Sequence, residues 1–188
     1  IDVPLLRVAK VLHKMGVRAN TLTAAGFIFT LCAFAALAAQ SYDAALAFLI
    51  LNRAMDGLDG LVARLAKPTD VGGYLDIVCD FIFYSGFVFF FAVGRPEEAL
   101  MAAFLIFSFM GTGSSFLAYA ILAAKNKVKE SKKSFFHLGG LAEGTETIIA
   151  FITICLVPDY FFLVAIFFGL LCWLTTYGRI KQTISDFS

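Results

Sequence analysis

The chain has 188 residues, 60% of them hydrophobic and 15% charged, with a mean hydropathy of +0.85. That composition excludes an ordinary water-soluble domain and places the chain among proteins that cross a membrane several times. The formal net charge of +1 points to no nucleic acid, and it names no partner until the charges are assigned to the two sides of a bilayer.

The first element is amphipathic. Leu5, Val8, Val11, Leu12 and Met15 recur at helical spacing, while Arg7, Lys10 and Lys14 take another face. Residues 2–17 are therefore expected to form a juxtamembrane helix on the cytoplasmic leaflet, held by apolar burial and by anionic headgroups. The chain opens on Ile1, not a methionine, so native residues are expected to precede it, and no signal peptide is read.

Six apolar segments follow, at about 22–39, 44–65, 73–93, 99–124, 138–157 and 160–177. Each suffices to cross a hydrocarbon core of roughly 30 Å, which takes about 20 residues. Short connections predict antiparallel neighbours. The expectation is an all-α membrane protein: one domain over 1–188, with a six-helix transmembrane bundle over 19–183. Thirteen of the fifteen Lys and Arg residues fall on one side: those before the first span, Arg64 and Lys67, the lysines at 125–133, and Arg179 with Lys181. The positive-inside rule then puts both termini in the cytoplasm. Cys32, Cys79, Cys155 and Cys172 lie in apolar runs without metal-ligand spacing and read as small apolar fillers. Cys79 is expected to face away from Asp80.

Acids break this apolar pattern. Asp56 and Asp59 stand near the cytoplasmic end of the second span, and Asp76 and Asp80 near the start of the third. A carboxylate in a bilayer costs about 2.5–3.5 kcal/mol even on lenient insertion scales, so four require compensation. Residues three or four apart share a helix face, so the two pairs can converge. Four carboxylates suit two hard divalent cations, Mg²⁺ or Mn²⁺, about 3.5–4 Å apart, the arrangement that clamps attacking and leaving oxygens in phosphoryl transfer. Gly57, Gly60, Ala63, Gly72 and Gly73 leave room beside the acids for a ligand, or alternatively for close helix packing. Arg64 could fork onto phosphate oxygens, whereas Arg53, one turn before Asp56, reads as an internal counter-ion. A cation-coupled transporter is the rival from another class, but such sites favour the membrane midplane and repeated, interrupted helices. A silent scaffold is disfavoured because unused intramembrane acids only destabilise.

Asp56, Asp59, Gly60, Ala63 and Arg64, followed by Gly72, Asp76 and Asp80, fill a pattern that resembles the signature of the CDP-alcohol phosphotransferase family. The six-span layout and the N-terminal helix extend the likeness to nearly the whole chain. The stretches 111–115 and 140–148 resemble a small subgroup of proteobacterial inner-membrane members without an assigned function. The resemblance implies transfer of a phosphatidyl group from CDP-diacylglycerol to a small alcohol with release of CMP, at the cytoplasmic side of a bacterial inner membrane, by a homodimer. It implies that Asp56, Asp59 and Asp76 bind metal and that Asp80 completes the metal site and acts as catalytic base. Gly60, Ala63 and Arg64, with Asp59, Thr69 and Gly72 beside them, would hold the CDP moiety. It implies that Asn20 and Thr21 also touch the nucleotide, since the segment from Asn20 to Thr23 resembles the family's Pro-Asn-x-x-Thr turn, with Ala19 in place of the proline.

Glu143 and Glu146 open the fifth span and are candidate acceptor-binding residues; the alternative is ion pairing with Arg53, Arg64 or loop lysines. Family branches that use a phosphorylated acceptor would carry arginines among these acids, where this chain has Gly144 and Thr147. A neutral polyol or an amino alcohol is therefore favoured over glycerol 3-phosphate or inositol phosphate. His137 is expected to cap a helix or reach the interface. Phe81, Phe83, Phe87, Phe89, Phe90 and Phe91 are expected to form a lipid-facing or subunit-facing surface.

Overall fold

The computed structural model describes residues 3–126 and 142–188, with the side chain of Val3 excepted. Lys127, Lys129, Lys132, Lys133, His137 and positions 138–141 of the fifth predicted span lie outside the described residues. Every regular element among those described is helical, and they divide into two compact units, Ile1–Gly94 and Arg95–Ser188.

The first unit holds α1 (Val3–Lys14), α2 (Ala19–Ala38), α3 (Tyr42–Ala66) and α4 (Asp70–Gly94). Local chemistry sets the breaks. Gly16 takes a left-handed φ of 79°, and the Gly16 and Val17 amides close back onto His13 O and Leu12 O at 3.0 Å each. That closure satisfies the last carbonyls of α1 and turns the chain into α2. Pro68 disfavours helical backbone at the preceding residue, and Lys67 is extended, at φ 178° and ψ 120°. Thr69 then caps α4, its hydroxyl accepting the Gly72 N–H at 3.1 Å and its carbonyl accepting the Gly73 N–H at 3.1 Å.

α2 is the centre of this unit, packed against both α3 and α4, while α1 lies along α3. Leu5, Leu6 and Leu12 of α1 pack around buried Ala9, Leu58, Leu61 and Val62. Gly57 belongs to this contact, since a β-carbon there would come within 3.0 Å of Leu5 Cδ2. The α4 phenylalanines do not form one exposed surface. Phe83, Phe87 and Phe91 are fully buried and Phe89 is 54% exposed. Spacing by four residues puts the first three on one face, and that face turns inward. Phe34 of α2 stacks on Phe90 at 4.9 Å and lays its ring against Gly86. Lipid offers apolar side chains no water to escape, so such close packing is what holds helices together there.

The second unit begins with a 3₁₀ turn, Pro96–Glu98, and continues through α5 (Ala99–Lys125), α6 (Gly144–Leu156), a second 3₁₀ turn at Pro158–Tyr160, and α7 (Phe161–Phe187). α7 packs against both α5 and α6. Phe109 meets Phe151 and Phe168 edge-on at 6.3 and 6.1 Å, and Arg95 bonds Glu97 at 3.0 Å and Asp159 at 2.8 Å, tying the two 3₁₀ turns. α7 runs ten residues beyond the predicted end of the last span, carrying Arg179 and Lys181 within the helix.

Among the described residues, four helical stretches are long and apolar enough to cross a membrane: Ala19–Ala38, Asp70–Gly94, Pro96–Lys125 and Pro158–Phe187. α3 has the length, with 25 residues, but carries Asp43, Arg53, Asp56, Asp59 and Arg64. The described part of the fifth predicted span is the shorter apolar helix Gly144–Leu156.

Candidate functional site

The two acidic pairs face a single cleft between α3 and α4, floored by Thr23 and Gly26 of α2. Asp56, Asp59 and Asp76 each present one carboxylate oxygen, and these lie within 4.8 Å of one another. Ligands on opposite sides of an octahedral Mg²⁺ stand about 4 Å apart, so small side-chain rotations would bring the three onto one ion. An all-oxygen donor set suits a hard cation. The residues present therefore fit the divalent metal expected from the sequence. Asp59 is buried, and the Thr23 hydroxyl donates to its Oδ2 at 2.6 Å.

Asp80 lines the same cleft but is held differently. Its Oδ1 pairs with Arg53 Nη2 at 3.1 Å, and its Oδ2 accepts from the Tyr84 hydroxyl at 3.3 Å. Arg53 also reaches Asp56 Oδ2 through Nη1 at 3.4 Å. Its Nε donates to Asn52 Oδ1 at 2.7 Å, and buried Asn52 in turn donates to Gly26 O and Thr30 Oγ1, both at 3.0 Å. The counter-ion role expected for Arg53 has this geometry behind it. Cys79 lines the cleft with the acids, contrary to expectation, because it lies three residues after Asp76 and shares its face.

One helical turn towards the chain ends of these elements, a second cavity opens. Asn20, Ala63, Thr69 and Lys67 line it, together with His13 and Arg18. Gly72 stands beside it. A β-carbon there would lie 3.1 Å from Thr69 Oγ1 and 3.5 Å from Asn20 Oδ1, so the bare glycine lets the starts of α2 and α4 approach. The Arg64 guanidinium folds back over Gly60, whose β-carbon would meet it at 3.7 and 3.8 Å. Thr21 is exposed in the first turn of α2. Asn52 and Tyr84 escaped sequence reading. The signal was present: each continues an acidic stripe by one turn, Asn52 four residues before Asp56 and Tyr84 four residues after Asp80.

In the second unit, Glu143 and Glu146 form a capping box at the start of α6, the Glu143 N–H donating to Glu146 Oε2 at 3.2 Å. Glu143 also lies 3.7 Å from Arg179 of α7.

A sequence model of the CDP-alcohol phosphatidyltransferase family matches residues 17–177. The chain is 48% identical over 182 residues to the inner membrane protein YnjF of Escherichia coli, covering 94% of this chain and 88% of that one. It is also 35% identical over 92 residues to archaetidylinositol phosphate synthase of Pyrococcus horikoshii, 48% of this chain and 49% of that one. A family match across most of the chain, over a cleft of converging acids, makes this protein a member of the CDP-alcohol phosphatidyltransferases, a family of transferases.

Proposed function

We propose that the chain transfers the phosphatidyl group of CDP-diacylglycerol to a small alcohol, releasing CMP, and depends on divalent metal to do so. The observation that carries this reading is the meeting of Asp56, Asp59 and Asp76 from two helices within 4.8 Å. Asp56, Asp59 and Asp76, with Asp80 nearby, would hold Mg²⁺ or Mn²⁺, which when bound neutralises the diphosphate and the departing CMP phosphate.

The remaining work belongs to side chains. Arg64, always charged, offers a planar fork to the diphosphate, and Gly60 and Ala63 leave the nucleotide room. Asn20, Thr69 and Gly72 border the neighbouring cavity, where the cytidine would extend one helical turn from the carboxylates. Asp80 takes the proton of the acceptor hydroxyl as the new P–O bond forms and the anhydride P–O bond to CMP breaks. Arg53 and Tyr84 each engage one of its oxygens, and each oxygen keeps a lone pair for that proton.

All of these groups stand at one end of the first unit, alongside Arg18, Arg64 and Lys67. By the positive-inside rule that end is cytoplasmic, where a lipid-anchored donor meets a water-soluble acceptor. The same reading takes 1–188 as one domain with six spans, both termini in the cytoplasm, α1 lying in the interface of a bacterial inner membrane, and a homodimeric assembly. A neutral polyol or an amino alcohol is the preferred acceptor, bound with help from Glu143 and Glu146. A phosphorylated acceptor is the second reading, favoured by the likeness of half the chain to archaetidylinositol phosphate synthase.

The test is purified protein with CDP-diacylglycerol, Mg²⁺ or Mn²⁺, and glycerol, inositol, serine, ethanolamine, choline, glycerol 3-phosphate or inositol phosphate. Release of CMP with one acceptor, matched by a new phospholipid, is the expected result. No CMP with any acceptor, alongside cation flux in vesicles, would replace the transferase with a carrier.

A further inference from the structure

Arg53 occupies an unusual place for a cation. Its two terminal nitrogens reach Asp80 on α4 at 3.1 Å and Asp56 on α3 at 3.4 Å, the only ion pairs among the described residues of the first unit. It is not a loosely held surface arginine. Its Nε bonds Asn52, which is 5% exposed and anchored to α2 through Gly26 O and Thr30 Oγ1. Its guanidinium lies 4.8 Å from the ring centroid of Phe83, which is 1% exposed. Three helices therefore fix where this charge sits, and a planar fork held this way loses little freedom in pairing.

The consequence is a division among the four aspartates. Asp56, Asp59 and Asp76 gather within 4.8 Å, while Asp80 is engaged by Arg53 and Tyr84. A first divalent ion on the three gathered acids meets a surplus of negative charge, because Arg53 touches only Asp56 among them, at 3.4 Å. A second, placed towards Asp80, meets the fixed positive charge of Arg53 across a short distance. A nucleotide diphosphate brings the negative charge that reverses this balance.

We infer that Arg53 is a resident cation that withholds Asp80 from the metal site, so that the chain alone binds one divalent ion tightly and the second only together with the nucleotide diphosphate. This rests on the proposed metal-dependent reading of the cleft. It also gives the site an order of assembly: one ion first, then the second with its substrate.

The experiment counts Mn²⁺ bound to purified protein by electron paramagnetic resonance, without nucleotide and with cytidine 5′-diphosphate, independently of turnover. The unmodified chain should hold one tight Mn²⁺ alone and two with the diphosphate. Arg53→Gln should bind the second ion at least about tenfold more tightly without nucleotide, and Arg53→Lys, which keeps the charge, should not. Two equally tight ions on the unmodified chain without nucleotide would overturn the inference even if the variants fail to fold, as would a folded Arg53→Gln protein that still binds one. Binding of no Mn²⁺ under any condition would overturn it and the metal site together, whereas two tight ions without nucleotide would leave the metal site standing.

Discussion

The Thr23 hydroxyl donates to Asp59 Oδ2 at 2.6 Å, joining α2 to α3 across 36 residues of sequence at the floor of the acidic cleft. It holds one oxygen of a carboxylate that lines the cleft with Asp56 and Asp76. Groups that orient a metal ligand in this way commonly change affinity by about 10–100-fold when removed. Thr23→Val keeps the shape and deletes the donor. It should weaken Mn²⁺ binding about tenfold without loss of helix content by circular dichroism, and Thr23→Ser should restore it. Unchanged Mn²⁺ affinity in the valine variant would remove Asp59 from the metal site.

Asp80 is the proposed proton acceptor, the role the family resemblance implies, and its carboxylate lines the cleft with the three gathered acids. Asp80→Asn preserves size, its amide oxygen can still accept from Arg53 and its amide nitrogen can donate to the Tyr84 hydroxyl, but it cannot take a proton from an alcohol. Turnover should fall about 10²–10⁴-fold, while CDP-diacylglycerol binding, measured by retention of the radiolabelled lipid in detergent, changes little. Turnover at the unmodified rate would give the base role to another group.

These sites were unequally legible in the sequence. Asp56 with Asp59, and Asp76 with Asp80, could be paired on faces from spacing alone, because helix geometry relates residues three and four apart. The bonds from Thr23 to Asp59 and from Arg53 to Asp80 depend on how far each helix is rotated and shifted against its neighbour, which no local pattern states. α4 shows the same limit. Nearly every residue from Phe81 to Val93 is apolar, so no polar face announces that Phe83, Phe87 and Phe91 point inward and Phe89 outward. Gly57 read equally well as a ligand-facing gap or a packing contact, and only the position of Leu5 decides for packing.

Packing between α2 and α4 turns on Gly86, against which the Phe34 ring lies. A side chain there must push the ring away or separate the helices, and Phe34 is 5% exposed with little room to move. Gly86→Val should destabilise the protein by about 1–3 kcal/mol, seen as a lower thermal midpoint in detergent. Adding Phe34→Leu should recover part of the loss. If Gly86→Val alone leaves the midpoint unchanged, the close approach of these helices is wrong.

Glu143 and Glu146 present the sharpest choice between structure and function. The capping box at α6 accounts for both carboxylates locally, and Glu143 lies near Arg179 as well. Loss of such a cap costs about 1 kcal/mol, so Glu143→Ala should lower the thermal midpoint whatever else it does. Glu146→Gln separates the roles, because the amide oxygen can still accept the Glu143 N–H while the charge is gone. If Glu146 also binds the ammonium or hydroxyls of the acceptor, the loss of a charge-assisted hydrogen bond should raise the acceptor KM about tenfold. The midpoint and the KM for CDP-diacylglycerol should stay where they were. An unchanged acceptor KM in that variant would confine Glu146 to holding the start of α6 in place.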